Sequence, residues 1–254
     1  MIIDFHAHCW EGKGDIKDFL LHMDKYHIDI SVLHAIDEPG YSSNEYVANL
    51  IKQYPDRLMG FACVHPHECF AAKRLRMLLD TYGFSGLKLH PPLQGFSMSD
   101  PTLYPLIEVC IDYDIPVLFH SGPINSQNHH SCYGDPGPLD ELAMRYPEAK
   151  IVIAHGDPFS VTPNLICKHK NVYMDTTNTF SRYVKMLPTV APMCYDRMRK
   201  NDRILFGTDH NPQREWRLPS NLDPLFNLTQ NGLISQEQED LIMFKTAKKL
   251  LKLD

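Results

Sequence analysis

With 254 residues, 25 basic against 31 acidic side chains and a net charge of −6, the chain can bury one large core and lacks the basic excess that nucleic-acid binding demands. Its 43% hydrophobic and 22% charged residues are those of a globular domain, and no run of about 18 uncharged apolar residues offers a membrane span. The opening MIIDFHAHCWEG lacks the basic n-region and apolar run of a secretory leader, and seven scattered cysteines without a CxxC pair read as reduced thiols, so a cytoplasmic protein is expected.

Strand-like runs recur from the first residues: IIDFHAH (2–8), ISVLHA (30–35), LMGFACV (58–64), SGLKLH (85–90), IPVLFH (115–120), KIVIAH (150–155), NVYMDT (171–176) and RILFGTD (203–209). Each is short, apolar and rich in β-branched or aromatic residues, as strands buried on both faces are. Helix-like stretches with apolar residues at three-to-four spacing fall at 15–28, 43–54 and 71–82. A last one, 235–253, opens on a Ser N-cap with Glu237 and Glu239 and closes on lysines, the charge order a helix dipole favours. Eight βα units, each roughly 20 to 35 residues long, predict an α/β protein, a (β/α)₈ TIM barrel spanning 1–254 as a single domain. A doubly wound dinucleotide fold is set aside, because the first strand ends in HAHCW and not in a glycine turn.

Histidine, at fourteen residues, is plentiful, and its placement is more informative than its number. Barrel enzymes build their sites at the C-terminal ends of the strands. There this chain puts His6 and His8, Lys88 and His90, His120, His155 and Asp209. Residues two apart in a strand share a face, so His6 and His8 project together above Asp4. If Leu87 and Leu89 face the helices, Lys88 and His90 face the barrel axis. His6, His8, His120 or His155, and Asp209 would then converge on one mouth, a ligand set suited to Zn²⁺ and also to Mn²⁺ or Fe²⁺. Such a metal lowers the pKa of bound water from about 15.7 toward about 7, and Asp209 could both ligate it and take the water's proton.

Other groups near the mouth are candidates for holding substrate. His65 and His67 follow strand three, and either orient substrate, bind an extra ion or sit in solvent. Arg182, Arg214 and Arg217 follow strands seven and eight, and any of them could grip a carboxylate bidentately. The candidate substrate-binding set is therefore His90, His65, Arg182 and Arg214. The turn-rich loop 121–138 offers His129, His130 and Tyr133, and the loop 91–100 offers Phe96 and Met98 as apolar walls. His34 ends strand two and either lines the mouth or packs; His22, His27 and His169 read as surface or core residues.

The set Asp4-Phe-His6-Ala-His8, Gly86-Leu-Lys88-Leu-His90-Pro91, His120-Ser-Gly122, His155-Gly156 and Phe206-Gly207-Thr208-Asp209 resembles the amidohydrolase superfamily, specifically its amidohydrolase-2 branch. The resemblance runs in order over residues 4–209, specific for the family and silent about substrate. It implies that His6, His8, Asp209 and His120 are metal ligands, with His155 binding a second metal or acting on substrate. It also makes Lys88 ambiguous: a carboxylated lysine bridges the ions of two-metal relatives, whereas decarboxylase-like relatives use one ion and need no carbamate. One ion is expected, with two as the alternative. Two features depart from the family pattern: His210-Asn211-Pro212 after Asp209, and IMFKTAKKLLKL where a Gly-Asn-Ala turn is frequent.

The leading expectation is a metal-dependent hydrolase that directs metal-activated water at a C–N or C–O bond of a small polar or anionic substrate: an amide, cyclic amide, lactone or ester. The alternative is a non-oxidative decarboxylase of a small carboxylated aromatic. A histidinol-phosphatase-type site is disfavoured, since that family closes on Asp-x-His and here His210 follows Asp209 directly. A non-catalytic metal-binding protein would show a broken ligand set. The expected partners are a small molecule and, as an option, further copies of the chain.

Overall fold

The computed structural model describes residues 1–198 and 202–253. Eight parallel strands run β1 (Ile3–Ala7), β2 (Ile30–His34), β3 (Leu58–Cys63), β4 (Leu87–Leu89), β5 (Pro116–Phe119), β6 (Lys150–Ile153), β7 (Val172–Asp175) and β8 (Ile204–Leu205). They pair in sequence order, each with the next. The ring closes where Phe5 N–H donates to the Phe206 carbonyl (2.9 Å), Asp209 N–H to His6 O (2.7 Å) and His8 N–H to His210 O (2.8 Å). This is the (β/α)₈ barrel expected from eight βα units, and every observed strand lies inside its predicted run.

The helices start where their caps dictate. Asp15 accepts from Lys17 N–H ahead of Ile16–Lys25, and Ser43 accepts from Tyr46 N–H ahead of Asn44–Gln53. Ala71–Tyr82 stops at Gly83, whose φ of +69° suits a residue without Cβ. Ser235 and Gln238 form a capping box at the head of the last helical segment. That segment is not the uniform helix its periodicity predicts: Leu241–Lys245 is a π turn. The departure coincides with a bond across to β8, where Phe206 N–H donates to Ile242 O at 2.9 Å.

Two apolar clusters sandwich the sheet. Phe5, Val32, Phe61, Leu118, Val152 and Leu205 pack together with Leu250 and Leu251 of the last helix. Leu33, Leu87, Leu89, Val117, Phe119 and Ile151 pack with the helices around them. Leu87 and Leu89 therefore face the helices, and Lys88 between them is directed inward, as the alternation requires. Alternation is interrupted in β1, where the register with β2 shifts between Asp4 and Ala7. Asp4 is engaged at the β1–β8 seam, accepting from His6 N–H (3.2 Å), Thr208 N–H (3.0 Å) and the Thr208 hydroxyl (2.5 Å). Phe96 and Met98 are not walls of the mouth; both are buried in the main core. Among the described residues no helix is long and apolar enough to cross a membrane.

Candidate metal centre

The C-terminal ends of β1, β4, β5, β6 and β7 bring their polar side chains to one place. The ligand atoms of His6, His8 and Asp209 all lie within 4.8 Å of one another. His8 Nδ1 is 3.1 Å from the His34 carbonyl, which can only accept, so Nδ1 carries the proton and Nε2 carries a lone pair. That lone pair faces Asp209 Oδ1 at 3.3 Å. Burial, with the charge of Lys88 behind it, pushes the His8 pKa down to about 3, so no second proton sits between the two acceptors at neutral pH. Two opposed lone pairs in a buried site fit a cation between them. His120 adds a buried Nε2 that meets no hydrogen-bond partner. The residues present therefore suit a divalent ion with imidazole and carboxylate ligands.

Asp209 reaches this position by leaving the strand. β8 ends at Leu205, and Asp209 takes a left-handed φ of +53°. Its Oδ2 accepts from Asn178 Nδ2 (3.0 Å) and from the Arg217 guanidinium. His155, just beyond β6, is held at φ +57°, and its main-chain N–H donates to Asp175 Oδ1 at 2.8 Å. The His155 ring meets His120, Nε2 to Nδ1, at 3.1 Å. His120 also stacks on His90 at 3.8 Å between ring centroids, with only 12° between planes. His120, His155 and His90 thus form a second tier of imidazoles beside the compact His6–His8–Asp209 set.

Lys88 is fully buried, with Nζ 3.4 Å from His6 Nε2. Burial alone pushes its pKa down to about 7. Burial likewise drives His6, His34, His90 and His120 well below the usual imidazole range, and His155 to about 4. Neutral imidazoles are the form in which histidine ligates metal.

The candidate substrate-binding residues separate. The Arg214 guanidinium lies 5.3 Å from the Trp10 ring centroid, and Trp10 lies 6.2 Å from the His8 ring, so this cation borders the site. His90 joins through its stack on His120. His65 sits against His67 (5.4 Å) and its N–H donates to Glu68, whereas His67 pairs with Asp100 at 3.0 Å. Arg182 is exposed on the helix Thr179–Met186. Neither His65 nor Arg182 is brought to the ligand cluster. His210 is buried with its Nε2 3.1 Å from His22 Nδ1 and its ring against Phe19.

Three residues at the centre were not singled out by sequence reasoning in the roles they hold. Asp175 bonds His6 Nδ1 through Oδ2 at 2.7 Å, and its only sequence signal is a carboxylate in the apolar run NVYMDT. His34 lies with its ring 4.9 Å from His6 and donates Nε2–H to Phe5 O at 2.8 Å. Arg217, a candidate for holding substrate, holds Asp209 itself.

Comparison with known proteins gives the family and the fold. The family model described as Amidohydrolase matches residues 3–253. The chain is 22% identical over 192 residues to a 2-amino-3-carboxymuconate-6-semialdehyde decarboxylase of Dictyostelium discoideum, an alignment that takes in 62% of this chain and about half, 52%, of that relative. Its fold is similar to that of 5-carboxyvanillate decarboxylase from Sphingomonas paucimobilis, with a TM-score of 0.72, 12% identity and coverage of 100% and 99% of the two chains. It is also similar to an Acinetobacter baumannii protein titled probable 2-pyrone-4,6-dicarboxylic acid hydrolase, with a TM-score of 0.69, 18% identity and coverage of 99% of both chains.

Proposed function

The chain belongs to the amidohydrolase family, and on that premise we propose that it is a divalent-metal-dependent decarboxylase of a small carboxylated substrate. The observation that carries this reading is the Arg217–Asp209 pair. A carboxylate bonded by a guanidinium and by Asn178 is a weaker base than a free one, better suited to holding charge at the ion than to taking a proton from water. Loss of CO₂ makes no demand for such a base. The name of the Dictyostelium relative supports the same direction.

The proposed ion, Zn²⁺ with Mn²⁺ or Fe²⁺ as substitutes, is a single one held by His6, His8 and Asp209, with His120 as the further ligand. Bound there, it supplies a Lewis acid that withdraws electron density from the substrate. Arg214 at the rim orients a carboxylate, and His90 gives a flat face beside His120. The C–C bond to the carboxylate breaks, its electron pair stays on the substrate carbon, and that carbon takes a proton. His155 is the residue we assign to relay it: the negative charge developing beside the neutral imidazole raises its proton affinity, so the ring takes a proton from solvent, passes it to the carbon and ends neutral. Lys88, unbridged, stands as a buried amine behind His6.

Hydrolysis of an amide, cyclic amide, lactone or ester is the second reading, and Asp209 Oδ1 favours it. That oxygen takes no donor from Arg217 or Asn178 and lies beside His8. The test incubates metal-loaded protein with carboxylated aromatics and with lactones and cyclic amides in ¹⁸O-labelled water. CO₂ release with no ¹⁸O in the organic product supports decarboxylation; label in a carboxylate product overturns it in favour of hydrolysis. We place the protein in the cytoplasm as a single barrel acting on a small molecule, with self-association as an option.

A further inference from the structure

We propose that Asp175 is the positioning residue that fixes the tautomer of His6, leaving Nε2 as the one lone pair that ring can offer a metal ion. The inference rests on the reading of His6 as a metal ligand. Asp175 ends β7, is fully buried and divides its two oxygens between two tasks. Oδ1 accepts from the main-chain N–H groups of His155 (2.8 Å) and Thr177 (3.0 Å). Oδ2 lies 2.7 Å from His6 Nδ1. A carboxylate oxygen accepts and a neutral imidazole has one N–H, so the His6 proton sits on Nδ1. The Thr177 hydroxyl, 3.4 Å from the same nitrogen, is the poorer partner. On the far side of the ring, Lys88 Nζ approaches Nε2 at 3.4 Å, a direction from which it can donate into the lone pair.

The same three residues, His6, His155 and Asp175, also have ligand atoms within 4.8 Å of one another, which would suit a second ion. The distances argue otherwise. A tetrahedral ion about 2.0–2.2 Å from each ligand holds its ligand atoms roughly 3.3–3.6 Å apart. At 2.7 Å, Nδ1 and Oδ2 are separated as a charge-assisted hydrogen bond is. The neighbouring backbone is built around this contact. A Cβ on Gly207 would lie 2.5 Å from Thr177 Oγ1 and 3.0 Å from His6 Cβ, so only glycine lets the β8 turn pass. One buried carboxylate thus orients the ring of His6 on β1 and the main chain of His155 beyond β6.

Asp175→Asn tests this with little change in shape. The two backbone N–H groups demand an acceptor, so the amide oxygen stays with them and its NH₂ turns to His6 Nδ1. That donor forces the His6 proton onto Nε2 and removes the lone pair facing the ion. The experiment records ¹⁵N–¹H long-range NMR of histidine in metal-free wild type and variant, and titrates each with Zn²⁺. We expect Nδ1–H in wild type, Nε2–H in the variant, an unaltered fold and a Zn²⁺ affinity lowered about 10- to 100-fold. Thr177→Val keeps the wild-type tautomer. Nε2–H in wild-type protein, or a variant that binds Zn²⁺ as tightly as wild type, overturns the proposal. If the variant does not fold, the wild-type spectrum still decides. If wild type takes up no Zn²⁺, the reading of His6 as ligand fails, while the tautomer measurement still judges Asp175.

Discussion

Arg217 donates to both the carboxylate Oδ2 and the main-chain carbonyl of Asp209. Eight residues and a turn separate the two in sequence, and one guanidinium nitrogen, Nη1, serves both acceptors at once. The aspartate is therefore fixed in position and in charge before any ligand arrives. Burial brings the arginine pKa down to about 10, which still leaves it a cation at neutral pH.

Arg217→Met is expected to lower kcat/KM about 10- to 100-fold by releasing Asp209, with a parallel loss of metal affinity. Arg217→Lys should recover part of the loss, because both bonds come from the single nitrogen Nη1 and an ammonium also carries donors enough for two acceptors. Steady-state kinetics together with metal titration check this; unchanged values in the Met variant would show that Asp209 needs no anchor.

His6→Ala and His8→Ala each remove one corner of the compact ligand set. Elemental mass spectrometry on protein purified without chelator should fall from about one equivalent to near none. Retention of the ion in both variants would move the metal centre to the His120–His155 tier.

Asp209→Asn keeps the bond acceptor for Arg217 but loses the negative charge. We expect the fold to survive while metal affinity and turnover fall together, about 10- to 100-fold, because the amide is a weaker ligand than the carboxylate. A variant that turns over at the wild-type rate would remove Asp209 from the chemistry.

Lys88 gives a pH-dependent stability. Its amine is pushed down to about 7 by burial, against an ordinary value of 10.5 when the chain unfolds. Between those pH values the unfolded chain holds more protons, so this group's contribution improves as pH rises. Its destabilisation is full below pH 7 and gone above 10.5, on the order of a few kcal/mol. Lys88→Met should therefore unfold at a temperature several degrees higher than wild type at pH 7, with the difference shrinking toward pH 10. Equal thermal midpoints at pH 7 in metal-free proteins would mean that the amine is not a buried burden.

The barrel was legible because a strand buried on both faces is a continuous apolar run, and eight such runs at βα spacing leave few alternatives. That His6, His8 and Asp209 come together was legible from polar residues at or just past the ends of apolar runs, and the inward direction of Lys88 from its place between Leu87 and Leu89. What pairs with them was not. Asp175 meets His6 across 169 positions of sequence, through a register between β7, β8 and β1 that no local pattern states. Phe96 and Met98 misled because a loop between strand and helix can fold its apolar residues inward as easily as toward the mouth. The π turn at Leu241–Lys245 coincides with a bond from a neighbour, Phe206, that lies outside any helical window.

The left-handed backbone at His155 and Asp209 sets two ambitions against each other. Both positions hold a side chain where glycine would rest more easily, at a cost of about 1 kcal/mol each. A library sorted for heat resistance alone should drift toward glycine at these two codons. One sorted for turnover should refuse it, so the pair of positions would tell an engineer which pressure a surviving clone had obeyed.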